Sequence, residues 1–271
     1  MGNLKEDNKM SLFAGGSKSI TNIVNLPNRR ILDEAIYFDE EILVGDCPGA
    51  DLAIQEYLKR RGYDNVTVYA SGGRVKCNVG EWEVRYPSPD QAFGADDRDR
   101  LNKIRMALEC DHAVMAWDGK SRGTRQNIVD LMAIGVTVSN MTWEGETDSW
   151  YYLDGSVDAK FLFGDGCYDR PLKLWLDDLR PAPEEYVRCL SVAEAKLYIS
   201  AAERSGIPVE VIDCDHDLGV YSRLGGDGIK LLDWLAERGT AYPVKLHTMN
   251  PVGRENKQRE IERYWNEEKK T

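Results

Sequence analysis

Cysteine pairs, long apolar runs and basic stretches are all missing from this 271-residue chain. Its six cysteines (Cys47, Cys77, Cys110, Cys167, Cys189, Cys214) form no CxxC pair, and several lie inside apolar runs where they read as buried thiols, so neither a zinc knuckle nor a disulfide framework is expected. No apolar stretch approaches the roughly 20 residues that cross a bilayer, and residues 1–10 are polar rather than signal-like. The expectation is a cytoplasmic protein with no membrane association. The formal charge is −11, spread over both halves of the chain. Without a basic stripe to neutralise successive phosphates, DNA binding is not expected, and a small anion held locally suits the composition better. Histidine is scarce as well: there are three, His112, His216 and His247.

What is present is a soluble, globular composition, 42% hydrophobic and 30% charged, in a chain long enough for two domains that each bury a core. Strand-like runs at 11–14, 41–44, 66–70, 112–117 and 136–139 alternate with helical spacing at 30–38, 48–61, 97–110 and 124–134. Pro48 suits a first helical turn and Gly62 a helix end. Residues 77–86 break the alternation and read as a small hairpin or excursion turning at Val79-Gly80. A second alternating block has strands at 172–176, 186–190, 209–213 and 244–248. Its helices run from a Ser191 cap to Arg204 and over 228–238 and 254–266. The fold class is therefore α/β, with two Rossmann-like three-layer domains and mostly parallel sheets, the second flavodoxin- or receiver-like and lacking a fifth strand. The domains are placed at 10–141 and 171–271, joined by an aromatic-rich connector at 142–170 that carries Trp143, Trp150, Tyr151 and Tyr152. A homo-oligomer is left open.

Three glycine-containing turns share one physical theme in the first block. They are Gly15-Gly16-Ser17, the run from Gly45 through Gly49 to Asp51, and the run from Asp118 through Ser121 and Gly123 to Thr124. Glycines let backbone N–H groups approach an anion, and a helix N-terminus adds a favourable dipole, although such turns also arise for steric reasons alone. In this order, over residues 10–140, they resemble the SLOG superfamily, the Rossmann-like group that includes the cytokinin-activating LOG enzymes and the DNA-processing protein DprA. The resemblance implies a nucleotide or NAD-derived ligand held by Gly15, Gly16, Ser17, Gly49, Asp51, Ser121, Gly123 and Thr124, with Arg98 as a phosphate clamp or a surface ion pair. Related glycosidases and deoxyribosyltransferases keep a glutamate at the end of a GTxxE pattern where this chain has Asn127, and an amide cannot replace that carboxylate. The first domain is therefore read as a binder.

The second block carries polar motifs after three of its strands: Asp177-Asp178-Leu179-Arg180-Pro181, Asp213-Cys214-Asp215-His216-Asp217, and His247-Thr248-Met249-Asn250 leading to Arg254. In an open α/β sheet such strand ends meet in one crevice. Close carboxylates repel one another, and a hard divalent cation is the usual remedy, which makes Asp177, Asp178, Asp213 and Asp217 candidate ligands for Mg²⁺ or Mn²⁺. The combination DDxRP, DHDLG and HTxNPxGR, over residues 172–266, resembles a divergent group described as cyclic-phosphate-processing receiver domains. That resemblance implies opening of a cyclic phosphate. The chemistry needs a base and an acid, roles that imidazoles suit, so His216 and His247 are the candidates, with Asp215 and Thr248 beside them. Arg180 and Arg254 are candidate phosphate partners, and Asn250 could orient water or sugar. The alternative readings are a capped turn at 215–217, a tight turn at 250–253 and a purely structural His247. His112, opening an apolar strand, is read as structural.

The combined reading is a phosphoesterase acting on a cyclic or bridging phosphate of a small nucleotide or NAD-derived signal. Resemblance alone suggests a setting in bacterial immunity or phage counter-defence. The rival readings are a non-catalytic sensor or sponge for such a signal, and processing of RNA ends that bear a 2′,3′-cyclic phosphate.

Overall fold

The computed structural model describes residues 9–26, 29–72, 74–86, 95–141, 149–150, 159–163, 170–247, 255, 258–259 and 261–262. The chain divides into two compact units, Met1–Leu153 and Asp154–Thr271, a division that falls within the segment read as a connector. Most of that segment lies outside the described residues, as does most of the expected helix over 254–266.

The N-terminal unit is built on a seven-stranded sheet. Its strands are β1 (Ser11–Gly16), β2 (Glu41–Gly45), β3 (Val66–Tyr69), β4 (Glu83–Arg85), β5 (His112–Ala116), β6 (Thr137–Asn140) and β7 (Ser149–Trp150). Their order is β4-β3-β2-β1-β5-β6-β7, parallel except for β7. Both faces of the central strands are buried, which explains why β1, β2 and β5 read as nearly continuous apolar runs. One face, with Leu12, Ala14, Ile42, Val44 and Val114, packs against α1 (Arg30–Tyr37) and α2 (Ala50–Arg60). The opposite residues of the same strands are covered with α3 (Ala95–Glu109) and α4 (Arg122–Ala133). His112 bonds Glu40 through Nε2 at 2.6 Å, a structural tie between the start of β5 and the turn before β2.

Two local expectations fail for identifiable reasons. Helix α2 starts at Ala50, not Pro48, because Gly49 takes φ 92° and ψ −130° and so cannot be helical. The excursion at 77–86 is not a hairpin, since β4 pairs with β3 in parallel and extends the sheet. Trp82, buried with its Nε1 donating to the Tyr63 carbonyl at 3.1 Å, anchors that return.

The C-terminal unit has α5 (Ala159–Phe163), β8 (Leu172–Leu176), β9 (Val187–Cys189), α6 (Val192–Arg204), β10 (Val209–Cys214), α7 (Ile229–Glu237) and β11 (Val244–Leu246). Its four strands are all parallel in the order β11-β10-β8-β9. Counted within the unit this is 2-1-3-4, the receiver and flavodoxin order without its fifth strand among the described residues. Period-two alternation fixes the faces: Leu172, Leu174 and Leu176 are buried, while Lys173 and Trp175 are half-exposed. Ser191 caps α6, its Oγ accepting the Glu194 N–H at 3.1 Å while Glu194 Oε2 accepts the Leu190 N–H at 2.7 Å. Among the described residues, no helix is long and apolar enough to cross a membrane.

Candidate active site

Strand parity brings the C-terminal motif residues together. Trp175 pairs in register with Asp213, and Asp213 with Lys245, so Trp175, Asp213 and Lys245 share one face of the sheet. Two residues further along each chain come Asp177, Asp215 and His247, which emerge on that same side just beyond the strand ends. The point between β8 and β10 is where the direction of strand order reverses, the usual place for a ligand crevice.

His247 is held on three sides. Its ring lies flat against Trp175, with centroids 3.8 Å apart and planes 2° off parallel. Nδ1 is 2.5 Å from Asp213 Oδ1, and Nε2 is 3.1 Å from Asp177 Oδ2. A ring with a proton on each nitrogen makes both hydrogen bonds, and one that gives up the Nε2 proton turns a lone pair toward Asp177. Asp213 therefore orients the ring, leaving Nε2 as the nitrogen facing the carboxylate cluster.

Asp177 is fully buried and fully engaged. Its Oδ1 accepts the N–H groups of Leu179 (2.9 Å) and Arg180 (2.7 Å), and its Oδ2 accepts Arg180 Nε at 2.5 Å. Burial opposes its ionisation, but these donors outweigh burial and hold its pKa below the ordinary value. Arg180 also donates from Nη2 to Asp215 Oδ2 (2.6 Å) and from Nη1 to the His247 carbonyl (3.0 Å). The remaining Asp215 oxygen, Oδ1, accepts the His216 N–H at 2.6 Å. Arg188, on β9, supports the acidic pair from behind by donating to the carbonyls of Asp177 (3.2 Å) and Asp178 (2.8 Å).

Asp178 differs from its neighbour. Burial, together with the charges of Asp177 and Asp215, pushes its carboxyl up to about 6 from 3.8. Between those two pH values the folded chain keeps a proton that the unfolded chain has lost, so this group's contribution to stability falls as pH rises through the window. Asp178→Asn should therefore melt with wild type near pH 4 and about 2–4 °C above it at pH 7, the shift of ~1 kcal/mol left after solvent screening of a half-exposed group. An equal difference at both pH values would refute the assignment.

The expected ligand set of Asp177, Asp178, Asp213 and Asp217 is not the group that converges. Asp177, Asp215 and His247 instead offer one ligand atom each, all within 4.8 Å of one another. Asp213 is turned to His247, Asp178 lies against Gly219, and Asp217 is exposed. Two carboxylates and an imidazole are a reasonable set for Mn²⁺. However, the Oδ2 atoms of both aspartates already face the Arg180 guanidinium, so the residues as arranged do not fit a divalent ion. For the same reason Arg180 is not poised as an open phosphate clamp. His216 has its Nδ1 buried, with no hydrogen-bond partner among the described residues. Thr248, Asn250 and Arg254 lie outside the described residues. The sequence reading missed Trp175 and Arg188 as members of the site.

The N-terminal unit has a cleft of about 410 Å³ at its own reversal point, between β1 and β5. Of the residues named as nucleotide contacts, Gly16, Asp51, Ser121, Gly123 and Thr124 line it, and so do Lys18, Arg100, Lys103, Asp118 and Asn127. Gly15, Ser17 and Gly49 stand behind the wall instead. Ser17 is buried, its hydroxyl 3.2 Å from Thr124 Oγ1 and accepting the Asp118 N–H at 3.2 Å. Ser121 caps α4, its Oγ accepting the Thr124 N–H. The hydroxyl of Ser19 and the N–H groups of Ser121 and Lys120 hold Asp118 down to about 2. Asp51 is buried, its Oδ2 accepting the Cys47 N–H at 3.4 Å and lying 3.6 Å from Lys103 Nζ. Burial raises the Asp51 carboxyl. It opposes the charge on Lys103, yet Asp51 and Asp99 outweigh that effect and keep the ammonium pKa above its ordinary value. Arg98 is on α3 but its side chain lies outside the described residues. Arg100 takes the cation's place in the cleft wall, pairing with Asp130 and donating to Asn127 Oδ1 at 2.9 Å.

No curated protein and no solved structure matches the chain, and the SLOG resemblance of the N-terminal unit is not matched by a family model. Residues 172–263, which contain the whole Asp177–Arg180–Asp215–His247 cluster, match the family described as the cyclic-phosphate processing receiver domain, and the C-terminal unit is receiver-like in sequence as well as in strand order.

Proposed function

We propose that the chain is a nucleotide-processing phosphoesterase whose C-terminal unit opens a cyclic or bridging phosphate with water. The observation that carries this reading is His247, clamped by Trp175 and Asp213 with Nε2 toward the acidic cluster, at the strand ends of a region that matches cyclic-phosphate processing receivers. Water adds to phosphorus, the ester P–O bond breaks, and the departing alkoxide takes the proton from His247 Nε2. The proton released by water passes to a second base, the role assigned to His216. No step requires a metal ion.

In this reading the N-terminal cleft holds a small nucleotide or NAD-derived ligand. The N-terminus of α4 offers backbone donors and a positive dipole to a phosphate. A Cβ on Gly123 would meet nothing within 4 Å, so Gly123→Val should fold with an unchanged melting temperature while its side chain blocks the cleft. Calorimetry should show ligand affinity reduced by at least tenfold; full affinity in the folded variant would remove the cleft from the account.

Arg180 is engaged by Asp177 and Asp215, which favours one rival reading, a non-catalytic sensor or sponge. A panel of 2′,3′-cyclic mononucleotides, cyclic dinucleotides and cyclic ADP-ribose isomers, incubated with the full chain and resolved by mass spectrometry, separates the two. A linear phosphomonoester product supports the phosphoesterase. Tight binding of one member without any product supports the sponge.

A further inference from the structure

We infer that Arg180 is the resident cation of the acidic pocket, a side chain that stands where a divalent ion would and keeps one out. The carboxylate oxygens account for this one by one. Asp177 Oδ1 is bonded to two backbone N–H groups and Asp215 Oδ1 to a third, which leaves the two Oδ2 atoms facing inward. Arg180 Nε and Nη2 donate to those two atoms at 2.5 and 2.6 Å. The same residues, with His247, are the group that could hold a metal ion.

The third guanidinium nitrogen closes the arrangement, because Nη1 donates to the His247 carbonyl and so ties the loop after β11 to the pocket. A guanidinium is planar, remains charged at any physiological pH, and offers a fork that can bridge two carboxylates. A divalent ion would have to displace three hydrogen bonds and then share the pocket with the displaced positive charge. The carboxylates are thereby balanced without a metal, and Arg180 acts through them as a positioning residue for His247.

The inference rests on the proposed hydrolytic site only in naming the pocket, and its test reads metal binding rather than turnover. Mn²⁺ is titrated into the full chain and free ion is followed by electron paramagnetic resonance, with melting temperature measured in parallel. Wild type should bind Mn²⁺ no tighter than millimolar and gain no thermal stability from it. Arg180→Ala should bind at least tenfold more tightly and be stabilised by the ion. Adding Asp215→Asn to that variant should abolish the gain. Arg180→Gln, which keeps the length of the stem, serves if the alanine variant does not fold. Micromolar Mn²⁺ binding by wild type, or affinity in either folded Arg180 variant no greater than in wild type, would overturn the inference.

Discussion

His247→Ala is expected to lower turnover of the cyclic phosphate by roughly 10²–10⁴-fold, the usual contribution of a positioned proton donor. The expectation follows from how completely the ring is held: a stacked indole on one face, a carboxylate 2.5 Å from Nδ1, and Nε2 turned to the cluster. Asp213→Asn should give a smaller loss, because the amide still occupies the space behind Nδ1 and can still accept a hydrogen bond from it. His216→Ala should match His247→Ala if it takes the proton released by water, and an unchanged rate would remove it from the mechanism. Binding of the ligand in the N-terminal cleft should be unaffected in all three variants. Melting curves run alongside separate a catalytic loss from the cost of emptying the stack on Trp175.

Gly49→Ala should produce the largest loss of stability, confined to the N-terminal unit. Gly49 precedes α2 at φ 92° and ψ −130°, a region closed to a residue with a side chain, and a Cβ there would run into the Lys18 backbone. Backbone strain and overpacking each cost about 1–3 kcal/mol, so the variant should lose roughly 3 kcal/mol or more, and neighbouring backbone cannot retreat as a flexible side chain would. Proteolysis should then cut the N-terminal unit first while the C-terminal unit stays protected. Wild-type melting of Gly49→Ala would contradict this account of the turn.

Much of this was legible because two physical signals are strong in the sequence. The run Leu-Lys-Leu-Trp-Leu at 172–176 alternates with period two, and the polar motif after it is placed by that period on the side of Trp175. Ser191 before a helical run, with Glu194 three residues on, announces its own cap. Other features depend on contacts that spacing does not encode. The three-residue strand β4 carries no signal of direction, and its parallel pairing comes from the anchoring of Trp82. Arg180 reads as a phosphate ligand in isolation, and it is turned inward by Asp177 three residues before it together with Asp215 and the His247 carbonyl, 35 and 67 residues away. Arg100 and Lys103 reach the cleft because α3 packs beside α4, while the nearer-looking candidate was Arg98. Both aspartate partners of His247 were present in the quoted motifs, but which aspartate orients the ring and which meets Nε2 is a matter of register among β8, β10 and β11.

The most direct test of the central claim is incubation of the full chain with 2′,3′-cyclic mononucleotides, cyclic dinucleotides and cyclic ADP-ribose isomers in ¹⁸O-labelled water, with the isotope followed by mass spectrometry. The expected result is a linear product carrying one ¹⁸O on phosphorus, formed with or without chelator and lost in His247→Ala. No product from any member, or a product without label, would contradict hydrolysis at this site.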